Sequence, residues 1–330
     1  MGAPNDMGCV VESGHTSASA PNEHSVEPST CVLFALGAHG CPTESLARAR
    51  TLAKALGASL HVLRVTFGIP RLNMLFPQGN LPETMDALEA THLAVEETRA
   101  WLAEAGGLDD PPIDFVTRAG AFTATVAARA AELRADVIIL PPREGRIGSR
   151  VTELVRATGR PVFVARRELG EHRTVVAATD LGSETLDVLR QAAVLARRLG
   201  TPLVAVHDIP PVLTYISSEG SEAVSVWPNE RVSEACAHRM ADAWDTMEVP
   251  GRVVVRREGN PADAILREAA ARCADLIVVG WHRRPRLMRL LRQGVAATVV
   301  DRTERSVWVT PLDPPGGGLD PRRHLVGAGS

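Results

Sequence analysis

The stretch Arg134-Ala-Asp-Val-Ile-Ile-Leu140 has a close counterpart later in the chain, Cys273-Ala-Asp-Leu-Ile-Val-Val279. Thr30-Cys-Val-Leu-Phe-Ala-Leu36 and Arg173-Thr-Val-Val-Ala-Ala-Thr179 form a second such pair, and the paired segments keep the same order in both halves. A repeat this long indicates two duplicated domains, because solenoids repeat roughly every 20–50 residues. Differences between the two halves are therefore the best guide to function.

The composition is that of a globular protein with room for two domains, since the 330-residue chain is 45% hydrophobic and 23% charged. A net charge of −3 argues against a dedicated nucleic-acid-binding protein, which usually carries a basic excess. No stretch approaches the ~20 apolar residues that span a bilayer, and the N-terminus lacks a secretory signal pattern. Five cysteines without a C-x-x-C pair indicate reduced thiols and no zinc site. We therefore expect a cytoplasmic protein that binds neither nucleic acid nor membranes.

Short apolar runs alternate with helical patterns in each half. A continuously apolar run such as Val137-Ile-Ile-Leu140 is typical of a parallel strand buried on both faces. Strands that alternate with helices of ~10–20 residues predict βαβ crossovers and a doubly wound sheet. Strands are predicted at 31–36, 59–65, 112–117, 135–140 and 161–166, and again at 173–179, 202–208, 251–257, 274–280 and 306–310. Helices are predicted at 43–56, 83–105, 122–133 and 148–158, and again at 183–199, 229–247, 261–272 and 287–300.

This pattern places two domains at residues 30–167 and 173–312, joined by a short polar linker. Residues 1–29 are rich in small and polar residues and have no periodicity, so we expect a disordered N-terminal arm. Residues 313–330 are predicted to be a flexible C-terminal tail. In open α/β sheets, ligands bind beyond the carboxyl ends of the strands, near the point where the strand order reverses. The residues that follow the strands are therefore the candidates for a site.

Several motifs, taken together, resemble those of the universal stress protein family. In the second half they are Val175-Val-Ala-Ala-Thr-Asp180 followed by Gly182-Ser183, Gly259-Asn-Pro-Ala-Asp-Ala-Ile265 and Ala274-Asp-Leu-Ile-Val-Val-Gly280-Trp-His282. In the first half they are Leu56-Gly-Ala-Ser-Leu-His-Val62 and Ala135-Asp-Val-Ile-Ile139. The resemblance implies a tandem of two universal stress protein domains. It further implies two Rossmann-like (adenine nucleotide alpha hydrolase-like) domains, each an open five-stranded parallel sheet with helices on both faces.

Many members of that family bind ATP through a G-x-x-G-x9-G-[ST] loop that follows the fourth strand. Glycines let the backbone approach the phosphates, and the N-terminus of the next helix favours their negative charge. In the second half Asp180 and Gly280 match the family pattern, whereas Arg283 stands at the second glycine. Gln293-Gly294 or, one residue later, Gly294-Val295 stands at the final pair, and neither supplies the hydroxyl. The resemblance thus implies a degenerate ATP site at Asp180, Asp208, Gly280, Arg283, Gln293, Gly294 and Val295, where Asp208 ends the second strand.

The first half departs further from the family pattern. Gly37 stands in place of the aspartate, and Pro141-Pro142 stands in place of the opening glycine. Proline lacks the backbone N–H that a phosphate-binding loop uses. We interpret the first half as a mainly structural domain that binds no nucleotide.

Other features allow two interpretations each. Asp180 could contact adenosine or cap the helix predicted at 183–199. The run from Arg283 to Arg292 holds five arginines, which could clamp an anion or form a solvated helix face. Apolar residues in loops 66–82 and 209–228 could contact a protein partner or pack over the crevice. His207 and Asp208 are neighbours on one strand, so joint metal ligation is not expected.

Together these observations predict a stress-response protein that is not an enzyme, since the sequence holds no convincing catalytic constellation. Its second domain would bind ATP weakly or would have lost that ability. The runs 161–166 and 306–310 could pair within the chain and make an internal pseudo-dimer. One alternative is a scaffold that binds a protein partner and no nucleotide. A less favoured alternative is a nucleotide-hydrolysing enzyme, which would need an intact phosphate loop and a metal-binding carboxylate.

Overall fold

Short apolar strands and amphipathic helices alternate along most of the chain. The computed structural model describes residues 10–12, 30–38, 43–66, 87–105, 113–143, 145–167, 169, 174–182, 185–209, 212–216, 222–226, 230–245, 251–256, 258–282 and 294–312. The strands in these residues are β1 Val10–Glu12, β2 Cys31–Leu36, β3 Ser59–Thr66, β4 Asp114–Ala119, β5 Val137–Leu140, β6 Val162–Val164, β7 Val175–Ala178, β8 Leu203–Asp208, β9 Val212–Ile216, β10 Glu222–Val226, β11 Gly251–Arg256, β12 Leu276–His282 and β13 Ser306–Leu312. The helices are α1 Thr43–Leu56, α2 Ala87–Glu104, α3 Phe122–Leu133, α4 Gly148–Thr158, α5 Thr185–Leu199, α6 Glu230–Asp245, α7 Pro261–Ala271 and α8 Val295–Arg302.

The chain divides into two compact units. We call Val26–Leu169 with Ser306–Pro311 the first unit, and Gly170–Arg305 with β1 and Leu312 the second unit. The domain boundaries predicted at 30–167 and 173–312 follow the order of the sequence. The observed units differ from them because most of β13 packs with the first unit and β1 packs with the second.

In the first unit, the strands run in the order β4-β3-β2-β5-β6, and these five are parallel to one another. The strands are buried as their apolar sequences predict, with Phe34, Ile138 and Phe163 fully excluded from solvent. The chain crosses over between β2 and β5, so that the strand order reverses there. This is the five-stranded parallel arrangement that the sequence predicts.

In the second unit, β11, β8, β7 and β12 follow one another in the sheet and are parallel. The strand that the sequence places fifth, β13, pairs antiparallel with β6 of the first unit, with Trp308 in register with Phe163. The predicted pairing of runs 161–166 and 306–310 is therefore observed. The order reverses between β7 and β12, and we call the carboxyl ends of these two strands the switch point.

The β6–β13 pairing is supported by a buried serine. Ser306 is fully buried, and its hydroxyl oxygen accepts hydrogen bonds from the backbone N–H groups of Arg166 (3.1 Å) and Arg167 (3.0 Å). The same hydroxyl lies 2.9 Å from the carbonyl oxygen of Arg167, to which it donates. The rings of Phe163 and Trp308 meet at a centroid distance of 6.3 Å. The hydrogen bonds of Ser306 and the ring contact between Phe163 and Trp308 thus both stabilise the β6–β13 pairing.

Three elements depart from the predicted pattern. The last helix begins at Val295, not at 287, and the residues between 283 and 293 lie outside the described part. Within the predicted loop 209–228, β9 and β10 pair as an antiparallel hairpin. Within the predicted N-terminal arm, β1 pairs antiparallel with β11. In the part of the chain that the structure describes, no helix has the length and apolar character needed to cross a bilayer.

Candidate functional site

The switch point of the second unit brings together residues from motifs that are about 100 positions apart in the sequence. Thr179 and Asp180 follow β7, and Gly280 and His282 are among the last three residues of β12. Parallel strands present their carboxyl ends at the same edge, which is where ligands of such folds bind. This edge of the second unit is therefore the candidate site.

Asp180 uses both of its carboxylate oxygens within the protein. Oδ1 accepts a hydrogen bond of 2.9 Å from the backbone N–H of Gly182, and Oδ2 lies 3.2 Å from Nε2 of His282. The Asp180 side chain is 58% exposed, so it remains accessible from solvent. Its bond to Gly182 closes a tight turn, a role that aspartate often has, and this turn precedes α5. No motif in the sequence indicates that His282 is the partner of this carboxylate.

The turn after β7 is held from two further elements. From β8, Nδ1 of His207 lies 2.9 Å from the carbonyl oxygen of Thr179. From α6, the guanidinium of Arg239 donates to the carbonyl oxygen of Leu181 at 3.1 Å. Leu181 itself adopts a left-handed backbone conformation with φ of 59°. A non-glycine residue keeps such a conformation where its surroundings hold it. Here the bonds to the carbonyl oxygens of Thr179 and of Leu181 itself provide that restraint.

Asp208 ends β8 and contacts the loop between β11 and α7. It is 7% exposed, and its Oδ1 accepts a hydrogen bond of 2.8 Å from the backbone N–H of Glu258. Its Oδ2 is buried and has no hydrogen-bond partner among the residues that the structure describes. Burial raises the pKa of the Asp208 carboxyl, and the backbone donors Glu258 and Gly259 and the nearby His207 counteract that rise only in part. The Asp208 carboxylate is thus engaged by the protein's own loop through Oδ1.

The loop that receives Asp208 is the Gly-Asn-Pro-Ala motif of the sequence analysis. Gly259 has a φ of 75°, which glycine adopts without strain, and Asn260 caps α7 through a 3.1 Å bond from the backbone N–H of Ala262. Pro261 occupies the first helical position, where its missing N–H costs nothing. This motif thus has a full structural explanation as a helix start.

Gly280 has a packing role. A Cβ atom on this residue would collide with the Cδ1 of Leu312 and would lie 3.0 Å from the Cγ2 of Val188. Leu312 is 6% exposed and Val188 is 2% exposed, so both contacts belong to the apolar interior of the second unit. The close packing alone explains why glycine stands at this position.

The remaining predicted site residues lie at the start of α8 or outside the described part. Gly294 is the N-cap residue of α8, and its carbonyl oxygen accepts a 3.0 Å bond from the backbone N–H of Thr298. Val295 begins the helix and is 40% exposed. Arg283 and Gln293 lie outside the described residues, as do the rest of the arginine run up to Arg292 and loop residues 67–82.

In the first unit, Arg64 stands at the place that His207 has in the second. It lies near the end of β3 and donates to the carbonyl oxygen of Ala38 at 3.3 Å, as His207 contacts the carbonyl after β7. The same guanidinium reaches the hydroxyl of Thr98 at 3.2 Å and the carboxylate of Glu97 at 2.8 Å, both on α2. The carboxyl edge of the first unit is thus occupied by an arginine that ties β3 to α2. A charged residue inside the apolar run Leu60–Val65 was the signal for this contact.

The comparisons with known proteins agree with this fold. Residues 171–311 match the model of the Universal stress protein family. A universal stress protein from Archaeoglobus fulgidus DSM 4304 has a similar structure, with a TM-score of 0.56 and 13% identity over 85% of this chain and 96% of its own. A putative universal stress protein from Pseudomonas aeruginosa UCBPP-PA14 also has a TM-score of 0.56, with 18% identity over 90% of this chain and 96% of its own.

A universal stress protein in complex with cAMP matches a shorter part, with 23% identity and a TM-score of 0.33 over 44% of this chain and 100% of its own. None of the curated proteins matches the chain significantly. The two longer matches have low identity and show similarity of fold along most of the chain. The family match concerns residues of the second half.

Proposed function

We propose that this chain is a tandem universal stress protein with a stress-response or signalling role, and that its second unit holds a degenerate adenine-nucleotide site. The observation that carries the proposal is the position of Asp180 at the switch point, within the segment 171–311 that matches the family. Two structures of universal stress proteins that cover most of the chain support the tandem arrangement. In this proposal the protein is cytoplasmic, is not an enzyme, and forms an internal pseudo-dimer through the β6–β13 pairing.

The described residues fit the adenosine part of ATP better than its phosphates. Asp180 offers a solvent-accessible carboxylate that can accept hydrogen bonds from a ribose or a base. Gly294 and Val295 begin α8, whose N-terminus would favour a negatively charged phosphate. Val295, however, brings no hydroxyl to that helix start. A nucleotide would therefore be held mainly through its nucleoside, which is why we expect a weak site.

The first unit is proposed to be structural. Gly37 provides no carboxylate after β2, and the Arg64 side chain is committed to Ala38, Thr98 and Glu97. Pro141 and Pro142 follow β5, where each lacks the N–H that would contact a phosphate. One nucleotide per chain is therefore the expected limit.

One observation favours the alternative of a protein-interaction scaffold without a nucleotide. Both Asp180 oxygens already accept donors from Gly182 and His282, so a ligand must displace the histidine to reach Oδ2. Gly280 is explained by the packing of Leu312 and Val188 without any phosphate. A nucleotide-hydrolysing enzyme is the least favoured alternative, because the sequence of the second half lacks the second glycine and the hydroxyl of the family's phosphate loop.

The deciding experiment is calorimetric titration of ATP and of ADP, each with magnesium, into the native protein and Asp180→Ala. We expect weak binding of one nucleotide per chain that Asp180→Ala abolishes. Asp245→Ala, which removes an exposed aspartate at the end of α6, is the matched control and should bind like the native protein. Absence of heat with any nucleotide at millimolar concentration would reject the site and leave the scaffold as the better account.

A further inference from the structure

A short strand from the N-terminal arm closes the outer edge of the second unit. β1 pairs antiparallel with β11, so that Val10 is opposite Val254, Val11 is opposite Val253 and Glu12 is opposite Arg252. The other strands that pair with β11, β8 and β7 in this unit are all parallel. β1 is therefore an addition to the α/β pattern that the sequence predicts.

Helices cover both faces of β11, which leaves its edge as the open side. On one face Gly251 lies against Trp244 of α6, so closely that a Cβ atom would be 2.7 Å from the indole. On the other face Arg256 forms an ion pair with the fully buried Glu268 of α7. Among the described residues, β1 alone pairs with the outer edge of β11. An uncovered strand edge presents backbone N–H and C=O groups that can pair with another extended chain.

The corresponding outer strand of the first unit, β4, has a different edge. No described strand pairs with the outer side of β4. Charged side chains lie on this strand: Asp114 forms an ion pair with Arg129 and contacts His61, and Arg118 forms an ion pair with Glu132. Charged residues on an edge strand discourage strand pairing. β11 has Arg252 and Arg256 towards its ends, but its centre, Val253 to Val255, is apolar and at most 6% exposed. Among the described residues, strand addition is observed at the edge of the second unit and not at that of the first.

The arm has one segment suited to this edge. Cys9-Val10-Val11 is the longest apolar run in residues 1–29, and β-branched residues favour extended pairing. The register also places the acidic Glu12 opposite the basic Arg252, a cross-strand pair of opposite charge. Composition and register thus both select Val10 and Val11.

We propose that the outer edge of β11 is a docking site for an extended segment of a partner protein, and that Val10–Glu12 occupies it as an internal competitor. The partner segment would have two β-branched residues followed by an acidic residue, and would bind antiparallel to β11. A strand of three residues makes few hydrogen bonds, and eighteen residues separate it from β2 in the sequence. Displacement of such a short strand costs little, so a longer partner segment with more backbone bonds can replace it. This proposal does not depend on nucleotide binding.

The test uses the full-length protein and a fluorescent peptide with the sequence of residues 8–13, in which serine replaces the cysteine. Anisotropy titration compares the native chain with Val11→Pro, since proline cannot donate a backbone hydrogen bond to the ladder. We expect Val11→Pro to bind the probe roughly ten-fold tighter or more, because apparent affinity scales with the fraction of molecules whose edge is open. Val26→Pro, a proline for a valine elsewhere in the arm, is the control and should bind like the native chain.

A charge exchange checks the register. Arg252→Glu should weaken binding of the probe, and a probe with arginine in place of its glutamate should restore it. Equal binding of the probe by the native chain and Val11→Pro would overturn the proposal, and so would binding that is insensitive to Arg252→Glu. Sedimentation of the native chain distinguishes the occupant. A concentration-dependent dimer that Val11→Pro abolishes would mean that the arm of a second copy, and not a different protein, is the partner.

Discussion

His282 and Asp180 are in contact at the switch point, with 3.2 Å between Nε2 of the histidine and Oδ2 of the aspartate. The two residues come from different strands, since Asp180 follows β7 and His282 ends β12. The pair therefore links the two strands between which the sheet order reverses. Because a ligand at this edge would need the same carboxylate oxygen, His282 competes with it.

The first prediction follows from that competition and presupposes the proposed nucleotide site. His282→Ala should raise the affinity for ATP a few-fold, because the donor that occupies Asp180 Oδ2 is removed. The free energy of unfolding should change by no more than about 1 kcal/mol, as both partners are partly exposed. His238→Ala, which removes an exposed histidine of α6, should change neither quantity. Calorimetric titration and urea denaturation provide the two measurements, and a loss of affinity in His282→Ala would instead make His282 a ligand contact.

The second prediction concerns the buried carboxyl of Asp208. Because burial raises its pKa in the folded protein above the unfolded value, the folded state holds this proton more tightly. The contribution of Asp208 to stability is thus complete at low pH and is lost as pH rises through the folded-state pKa. Asp208→Asn removes this loss, since an amide does not ionise and its oxygen can still accept the bond from Glu258.

Thermal unfolding at two pH values measures this effect. The midpoint of Asp208→Asn relative to the native protein should be higher near neutral pH than at acidic pH, where a larger share of the native carboxyl is protonated. Asp245→Asn, which alters an exposed aspartate, should show a much smaller dependence. A relative midpoint that is independent of pH would contradict a raised pKa for Asp208.

The third prediction separates packing from phosphate binding at Gly280. Gly280→Ala should destabilise the protein by about 1–3 kcal/mol, because the added Cβ atom collides with Leu312 and approaches Val188. The cost should be smaller in a Leu312→Ala background, where the collision is relieved, and urea denaturation of the four proteins gives this coupling. Gly294→Ala is the matched control, since among the described residues its added Cβ would meet no atom within 4 Å other than those of its own chain neighbours. Intact stability with reduced nucleotide affinity in Gly280→Ala would show that the glycine acts in binding.

Strands with a local signal could be predicted from the sequence, and contacts between distant residues could not. The run Val137–Leu140 is a strand at the predicted place because four consecutive apolar residues carry that information. The collision partner of Gly280 lies 32 positions later, at Leu312, and no periodicity connects the two. The pairing of runs 161–166 and 306–310 is an exception that the sequence did indicate, but its antiparallel direction is set by packing and not by the composition of either strand.

At the candidate site, too, the position of a residue could be predicted from the sequence, whereas its side-chain contacts could not. The sequence pattern placed Asp180 at the end of a strand, and the structure confirms that position. The pattern could not reveal that Asp208 turns towards Glu258, because the direction of a side chain at a strand end depends on the neighbouring loop. Nor could the pattern reveal that His282, at the end of β12, contacts Asp180 after β7.

The fourth prediction tests whether Ser306 holds β13 to the first unit. Ser306→Ala removes an acceptor of the partly buried backbone N–H groups of Arg166 and Arg167, and the donor to the carbonyl oxygen of Arg167. A hydrogen bond of this kind contributes about 1 kcal/mol, and Arg166 keeps a second acceptor in the carbonyl of Val164, so we expect a loss of unfolding free energy of about 1–2 kcal/mol. Ser149→Ala, at an exposed position of α4, should have little effect.

Hydrogen exchange shows which strands lose stability in Ser306→Ala. In Ser306→Ala the amides of β6 should exchange faster, because this strand pairs with β13 through residues Val162 to Val164. Amides of β8, which pairs with β7 and β11 in the second unit, should keep their protection. Equal acceleration in both strands would mean that Ser306 supports the whole molecule, and unchanged exchange in β6 would mean that apolar contacts such as Phe163 with Trp308 suffice. Only a loss confined to the first unit fits a serine that anchors β13 beside β6.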